Sequence, residues 1–138
     1  MADRSPSGKN LVMVADDEGA IARMVTTILS AAGFRAVVVR NGNEGVRTYR
    51  ELQPEICLVL SDVVMPECGG LQMAQRILEL DPKAKILLMS GYTDAALEVK
   101  AQKKFPFIRK PFLPDDLVRK IREVLDAGNK IDADVRAV

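Results

Sequence analysis

Four groups of reactive side chains stand at the ends of apolar runs in this chain. Asp16-Asp17-Glu18 follows Leu11–Ala15, Ser61-Asp62 follows Ile56–Leu60, Ser90-Gly91 follows Ile86–Met89, and Arg109-Lys110-Pro111 follows Phe107-Ile108. Three clustered carboxylates, here Asp16, Asp17 and Asp62, repel one another and raise each other's proton affinity unless a cation sits among them. A hard, oxygen-seeking ion such as Mg2+ resolves that conflict, holding one or two carboxylates, a carbonyl and several waters. One carboxylate can then act as nucleophile on a phosphoryl group, with the ion and Lys110 neutralising its oxygens and Ser90 bonding another. The expected product is an aspartyl phosphate, and the same ion could orient water for its hydrolysis.

Each residue also has a plainer reading. Asp17 suits a helix N-cap, Asp62 a turn before Pro66 and Gly69-Gly70, Ser90-Gly91 an ordinary strand-to-helix loop, and Lys110 a surface position. What weighs against taking all four this way is their coincidence at four separate strand ends.

The elements that must position these groups alternate regularly. Short runs rich in Val, Ile, Leu or Phe occur at Leu11–Ala15, Ala36–Val39, Ile56–Leu60, Ile86–Met89 and Phe107-Ile108, and continuous apolar runs suit strands buried on both faces. Between them lie segments with helical spacing. Ile21, Met24, Val25, Ile28, Leu29 and Ala32 form one stripe, with Gly33 where a left-handed C-terminal residue is wanted. Val46, Tyr49 and Leu52 mark the second helix. Leu71, Ala74, Ile77 and Leu78 mark the third, which stops at Asp81-Pro82. A fourth after Thr93-Asp94 has a thin apolar face of Ala95, Ala96, Leu97 and Val99, so it should pack least firmly. The fifth opens at Pro114-Asp115-Asp116 and continues through Leu117, Val118, Ile121, Val124 and Leu125. Such alternation predicts a parallel sheet covered on both faces, with ligands bound beyond the carboxyl ends of the strands. In the order 2-1-3-4-5 the first strand lies beside the third, which brings Asp16 and Asp17 next to Asp62.

Composition narrows the chemistry. The 138 residues are 48% hydrophobic and 28% charged, a balance that fits one globular domain. Its expected span is 9–127, with flexible termini at 1–8 and 128–138. A net charge of +1 offers no footprint for nucleic acid or an anionic membrane, and no apolar run is long enough to span a bilayer. The absence of histidine excludes His-based zinc sites, Ser-His-Asp and Cys-His catalysis, and a phosphohistidine donor role. Cys57 and Cys68 match no metal or redox spacing. With a polar start and no export signal, a cytoplasmic setting is expected, and Cys68 reads as a solvated loop thiol. Lys100, Lys103 and Lys104 form a small basic run that reads as a solvated helix end.

The motifs Asp16-Asp17-Glu18, Leu60-Ser61-Asp62-Val63-Val64-Met65-Pro66 with Gly69-Gly70, Met89-Ser90-Gly91-Tyr92 and Phe107-Ile108-Arg109-Lys110-Pro111-Phe112 resemble the receiver domain of two-component response regulators, over about residues 9 to 127. The wording LVLSDVVMPECGG and ILLMSGYTDAA is most similar to receivers of hybrid sensor histidine kinases. The resemblance implies a doubly wound, flavodoxin-like (βα)5 three-layer sandwich. It makes Asp62 the phosphoacceptor, fed by a cognate histidine kinase or histidine phosphotransfer protein. It gives Mg2+ to Asp16, Asp17 and Asp62 with the main-chain carbonyl of Val64, pairs Lys110 with the phosphate, and makes Ser90 and Phe107 the switch pair. Lys110-Pro111 is expected to be cis, a state essentially confined to X-Pro bonds. Phosphorylation would reshape a partner-binding face built from the fourth helix, fifth strand and fifth helix.

Two features depart from the family pattern. The stretch Gln102-Lys103-Lys104-Phe105-Pro106-Phe107 replaces the usual Gly-Ala pair and is slightly short, which makes Phe105 a rival to Phe107 for the switch pocket. Val64 and Tyr92 flank the site with bulky uncharged side chains. A haloacid-dehalogenase-like phosphatase would need Asp-x-Asp at the first strand, where this chain has adjacent acids, and a flavodoxin-like cofactor site would be repelled by Asp16-Asp17-Glu18. A receiver-like module acting without phosphorylation is the remaining alternative, against which all five site side chains are intact. The domain is expected to accept a phosphoryl group and to lose it by its own hydrolysis, not to act as a multi-substrate enzyme. Direct DNA binding is not expected, because about 11 residues after the fifth helix are too few for a helix-turn-helix.

Overall fold

The computed structural model describes residues 9–91 and 95–137, with side chains for 9–91 and 100–127. Strands and helices alternate through the chain as β1 (Leu11–Ala15), α1 (Gly19–Ala31), β2 (Arg35–Val39), α2 (Gly42–Leu52), β3 (Ile56–Asp62), α3 (Gly70–Leu80), β4 (Ile86–Ser90), α4 (Ala95–Lys104), β5 (Phe107–Arg109) and α5 (Pro114–Ala137). The strands form one parallel sheet in the order β2-β1-β3-β4-β5.

The continuous apolar runs have the meaning expected of them in the three central strands, where every residue of β1, β3 and β4 is buried. Successive side chains point to opposite faces, so each strand feeds two cores. Leu11, Met13 and Ala15 pack with Val46 and Tyr49 of α2, Met73 and Ile77 of α3, and Ala101 of α4. Val12 and Val14 pack with Val25 and Leu29 of α1 and with Leu117 and Ile121 of α5. Each fully buried Val, Leu, Ile or Met among these contributes roughly 1.5–3 kcal/mol. The result is the three-layer, doubly wound flavodoxin-like sandwich.

Differences from the sequence reading follow from position. At the sheet edge, Arg35, Ala36 and Val38 of β2 are exposed, because only one neighbour covers the strand. β3 and β4 run on to Asp62 and Ser90, since their main chains keep pairing although the side chains turn polar (Asp62 opposite Met89, Ala15 opposite Ser61). α1 has Glu18 at its N-cap with no side-chain cap bond, so Asp17 is not the cap. α2 is capped by Asn41, whose Oδ1 accepts the Glu44 amide at 2.9 Å. Gly33 takes the left-handed conformation, at φ 94°. α5 continues to Ala137, past the 127 boundary read from sequence; Gly128 costs a helix only about 1 kcal/mol relative to Ala. Thr93-Asp94, read as the start of the fourth helix, and the chain before residue 9 lie outside the described residues.

Cys68 requires a correction. It is 5% exposed, not a solvated thiol. Its carbonyl accepts the Gly42 amide at 2.8 Å, which draws the β3–α3 loop against the start of α2. A Cβ on Gly42 would stand 2.4 Å from the Cys68 sulfur, so only glycine allows this approach.

Candidate functional site

Strand ends supply the site, and main-chain bonds hold those ends in place. The Asp16 amide donates to the Val39 carbonyl (3.1 Å), the Val63 amide to Met89 (2.9 Å) and the Lys110 amide to Ser90 (2.8 Å). These bonds tie β1 to β2, β3 to β4 and β4 to β5 at the carboxyl edge, and the β1–β3 ladder, with Ala15 opposite Ser61, joins the two groups. Carboxylate oxygens of Asp16, Asp17 and Asp62 lie within 4.8 Å of one another, with Asp16 and Asp62 buried and Asp17 exposed. Lys110 reaches back from the end of β5, and its Nζ lies 3.3 Å from Asp16 Oδ2 and 3.3 Å from Asp62 Oδ2. The Lys110-Pro111 peptide is cis.

The remaining carboxylate oxygens are also engaged. Asp16 Oδ1 accepts the Glu18 amide at 2.9 Å, and Asp62 Oδ1 accepts the Val64 amide at 3.4 Å. Burial pushes the Asp62 carboxyl above its ordinary value and the Asp16 charge adds to the rise, while Lys110 and the Val64 amide pull it down without cancelling it. A single ammonium for three acids leaves the cluster short of positive charge. Three convergent oxygen ligands, one facing solvent, are the donor set that a hard dication accepts, so these residues fit Mg2+.

Ser90, 2% exposed, ends β4 beside Asp62, and its hydroxyl donates to the Gly91 carbonyl at 3.2 Å. Val64 presents its side chain to solvent at the rim. Phe107 is half-buried against the α2–α3–α4 core, and Phe105 sits deeper in that same core. Tyr92 lies outside the described residues.

Two positioning residues escape a reading by chemical type. Gly70 opens α3 so close to β3 that an added Cβ would meet the Asp62 carbonyl at 2.0 Å and Ser61 Oγ at 2.8 Å. The Ser61 hydroxyl donates to the Asp62 carbonyl at 2.8 Å, which fixes the peptide that carries the acid. The signal for both lay in Ser61 and Gly69-Gly70, read only as strand end and turn.

Comparison with known proteins adds an independent line. Residues 12–122 match the family model for the response regulator receiver domain. The chemotaxis protein CheY of Thermotoga maritima is 35% identical over 116 residues, covering 82% of this chain and 95% of that protein. The response regulator receiver protein CpdR of Brucella abortus is 34% identical over 120 residues, covering 85% and 98% respectively. Among solved structures, the CheX–CheY–BeF3–Mg2+ complex of Borrelia burgdorferi contains a chain similar in fold, with a TM-score of 0.76 and 25% identity over 86% of this chain and 91% of that one.

Proposed function

The chain belongs to the response regulator receiver family, and from that premise we propose that it is the aspartate half of a His-Asp phosphorelay, phosphorylated at Asp62. The observation that carries this reading is the Lys110 ammonium shared at 3.3 Å between Asp16 and Asp62, beside a third carboxylate. Asp16, Asp17 and Asp62, with the Val64 carbonyl, would hold Mg2+, the ion that accompanies the similar CheY chain in its complex with CheX. When bound, the ion supplies positive charge against the oxygens of an incoming phosphoryl group.

The chain's own residues do the rest. The Asp62 carboxylate attacks phosphorus as the donor's phosphohistidine nitrogen leaves with its bonding pair. Lys110 exchanges its contact with Asp62 for one with the new phosphoryl oxygens, and the Ser90 hydroxyl turns from Gly91 toward them. Phe107 follows into the space vacated beside Ser90, which biases a two-state equilibrium of the α4–β5–α5 face toward partner binding. Water then returns the carboxylate, so the domain is a transient acceptor. The donor is a histidine kinase or histidine phosphotransfer protein, because the chain has no histidine of its own. Among the described residues no helix is long and apolar enough to cross a membrane, and we place the protein in the cytoplasm with its relay partners.

Incubation with Mg2+ and acetyl phosphate, followed by intact mass, tests the assignment. The expected result is one phosphoryl adduct, lost in Asp62→Ala and on chelation. An adduct that survives Asp62→Ala overturns it.

A further inference from the structure

Helix α2 supplies no side chain to the acid cluster, yet its first turns are pressed against the loop that follows Asp62. Gly42 and Gly45 lie one turn apart on α2, and both are buried. A Cβ on Gly45 would run into Met73 Sδ, the end of a flexible side chain of α3. A Cβ on Gly42 would stand 2.7 Å from the Cys68 carbonyl oxygen, which belongs to the main chain of the loop. Glycine is a poor helix former, so α2 is weakened as a helix where it lies this close.

The loop it approaches is under strain. The Cys68 amide donates to the Pro66 carbonyl at 2.7 Å, which closes a three-residue turn around Glu67. Glu67 is left-handed, at φ 66°, a conformation uncommon for a residue with a long side chain. Such a residue persists only where its surroundings hold it. On either side of the turn, the Val64 amide reaches Asp62 Oδ1 and the Gly69 amide reaches Gln72 Oε1, each at a long 3.4 Å. Among the described residues, the hydrogen bond that ties 64–69 to an element other than β3 and α3 runs from the Gly42 amide to the Cys68 carbonyl, at 2.8 Å. Asn43, next in α2, accepts Arg76 Nη1 at 2.8 Å, and that nitrogen also lies 3.8 Å from Cys68 Sγ. The start of α2 is therefore what holds the strained turn. Val64 opens the same stretch, and among the described residues no donor takes its carbonyl oxygen.

We infer that Gly42 and Cys68 are positioning residues for the ion site: their main-chain bond lets α2 hold the β3–α3 loop, and with it the Val64 carbonyl, in the arrangement that takes Mg2+. The inference rests on the phosphoacceptor reading above, which supplies the ion. Coupling between two sites is reciprocal, so bound Mg2+ should in turn protect the Gly42–Cys68 bond. Calorimetric titration with MgCl2, set beside urea unfolding, is the test. Gly42→Ala should weaken the Mg2+ Kd about five-fold or more. Tyr49→Phe, which loses the 2.7 Å bond to Asp81 further along α2, should lower the urea midpoint. Its Mg2+ Kd should stay within about two-fold of the parent's, as expected of an independent site. In the parent, saturating Mg2+ should slow exchange of the Gly42 amide about five-fold relative to the Gly45 amide, and should not do so in Asp17→Asn. A folded Gly42→Ala with the parent's Kd overturns the inference, as does equal weakening in Tyr49→Phe, which would tie ion affinity to stability alone. A Gly42 amide indifferent to Mg2+ overturns it even if Gly42→Ala fails to fold. A parent that takes no Mg2+ overturns the ion reading and this one together, whereas a parent that takes Mg2+ with no response at Gly42 overturns this one alone.

Discussion

Asp62 keeps its charge at a cost. Desolvation and the neighbouring Asp16 raise its proton affinity above that of the unfolded chain, even with Lys110 in contact. The folded state therefore binds the extra proton between the unfolded value and the raised folded one, and stability falls as pH rises through that window. Above the window the penalty is present in full, and below it the penalty is gone. Asp62→Asn should accordingly raise the urea midpoint at neutral pH, with the gain shrinking as pH falls through the carboxylate range. A gain that ignores pH would place its origin elsewhere. The acids, Ser90 and Lys110 are legible in the sequence because each ends an apolar run, and parallel sheets gather such ends on one edge. Cys68 is not legible in this way. Its burial depends on the Gly42 amide of another element, and no local pattern around Cys68 announces that contact.

At the scale of elements, the junction between β3 and α3 is the tightest described part of the site. The Gly70 amide donates to the Val63 carbonyl at 2.9 Å, and its Cα lies where any side chain would collide with the Asp62 peptide. Gly70→Ala should cost about 1–3 kcal/mol by overpacking, read from urea unfolding, and should slow phosphorylation by displacing the acid. Gly91→Ala has nothing among the described residues within 4 Å of the added carbon and should change the unfolding midpoint little. Equal effects at the two positions would remove the steric account. Helix and strand order is legible from periodicity, because the central strands are apolar throughout and the helices are striped. The strand ends are not, because Ser61, Asp62 and Ser90 stay in the ladder through main-chain bonds that polar side chains conceal. β2 misleads for the opposite reason: its valines suggest burial throughout, and the edge position leaves Val38 exposed and Val37 half-covered while Val39 is buried.

Across the whole molecule, a net charge of +1 conceals strong segregation, with three acids converging at one edge and lysines lined along α4. An ion that binds only the folded acid cluster stabilises the fold by mass action, about 2.7 kcal/mol at a hundred-fold excess over its Kd. Mg2+ should thus raise Tm in the parent chain. Asp17→Asn, at an exposed position, should leave the ion-free Tm nearly unchanged while removing most of the rise. A rise that persists in Asp17→Asn would move the ion to another site.

Lys110 is attached to the sheet twice, through its amide to the Ser90 carbonyl and through its ammonium to Asp16 and Asp62. Whatever moves the ammonium therefore strains the last rung between β4 and β5 through a single side chain. In deuterium that rung becomes a local clock: the Lys110 amide should exchange faster in Asp62→Ala than in the parent, while the amides of β1 keep their pace.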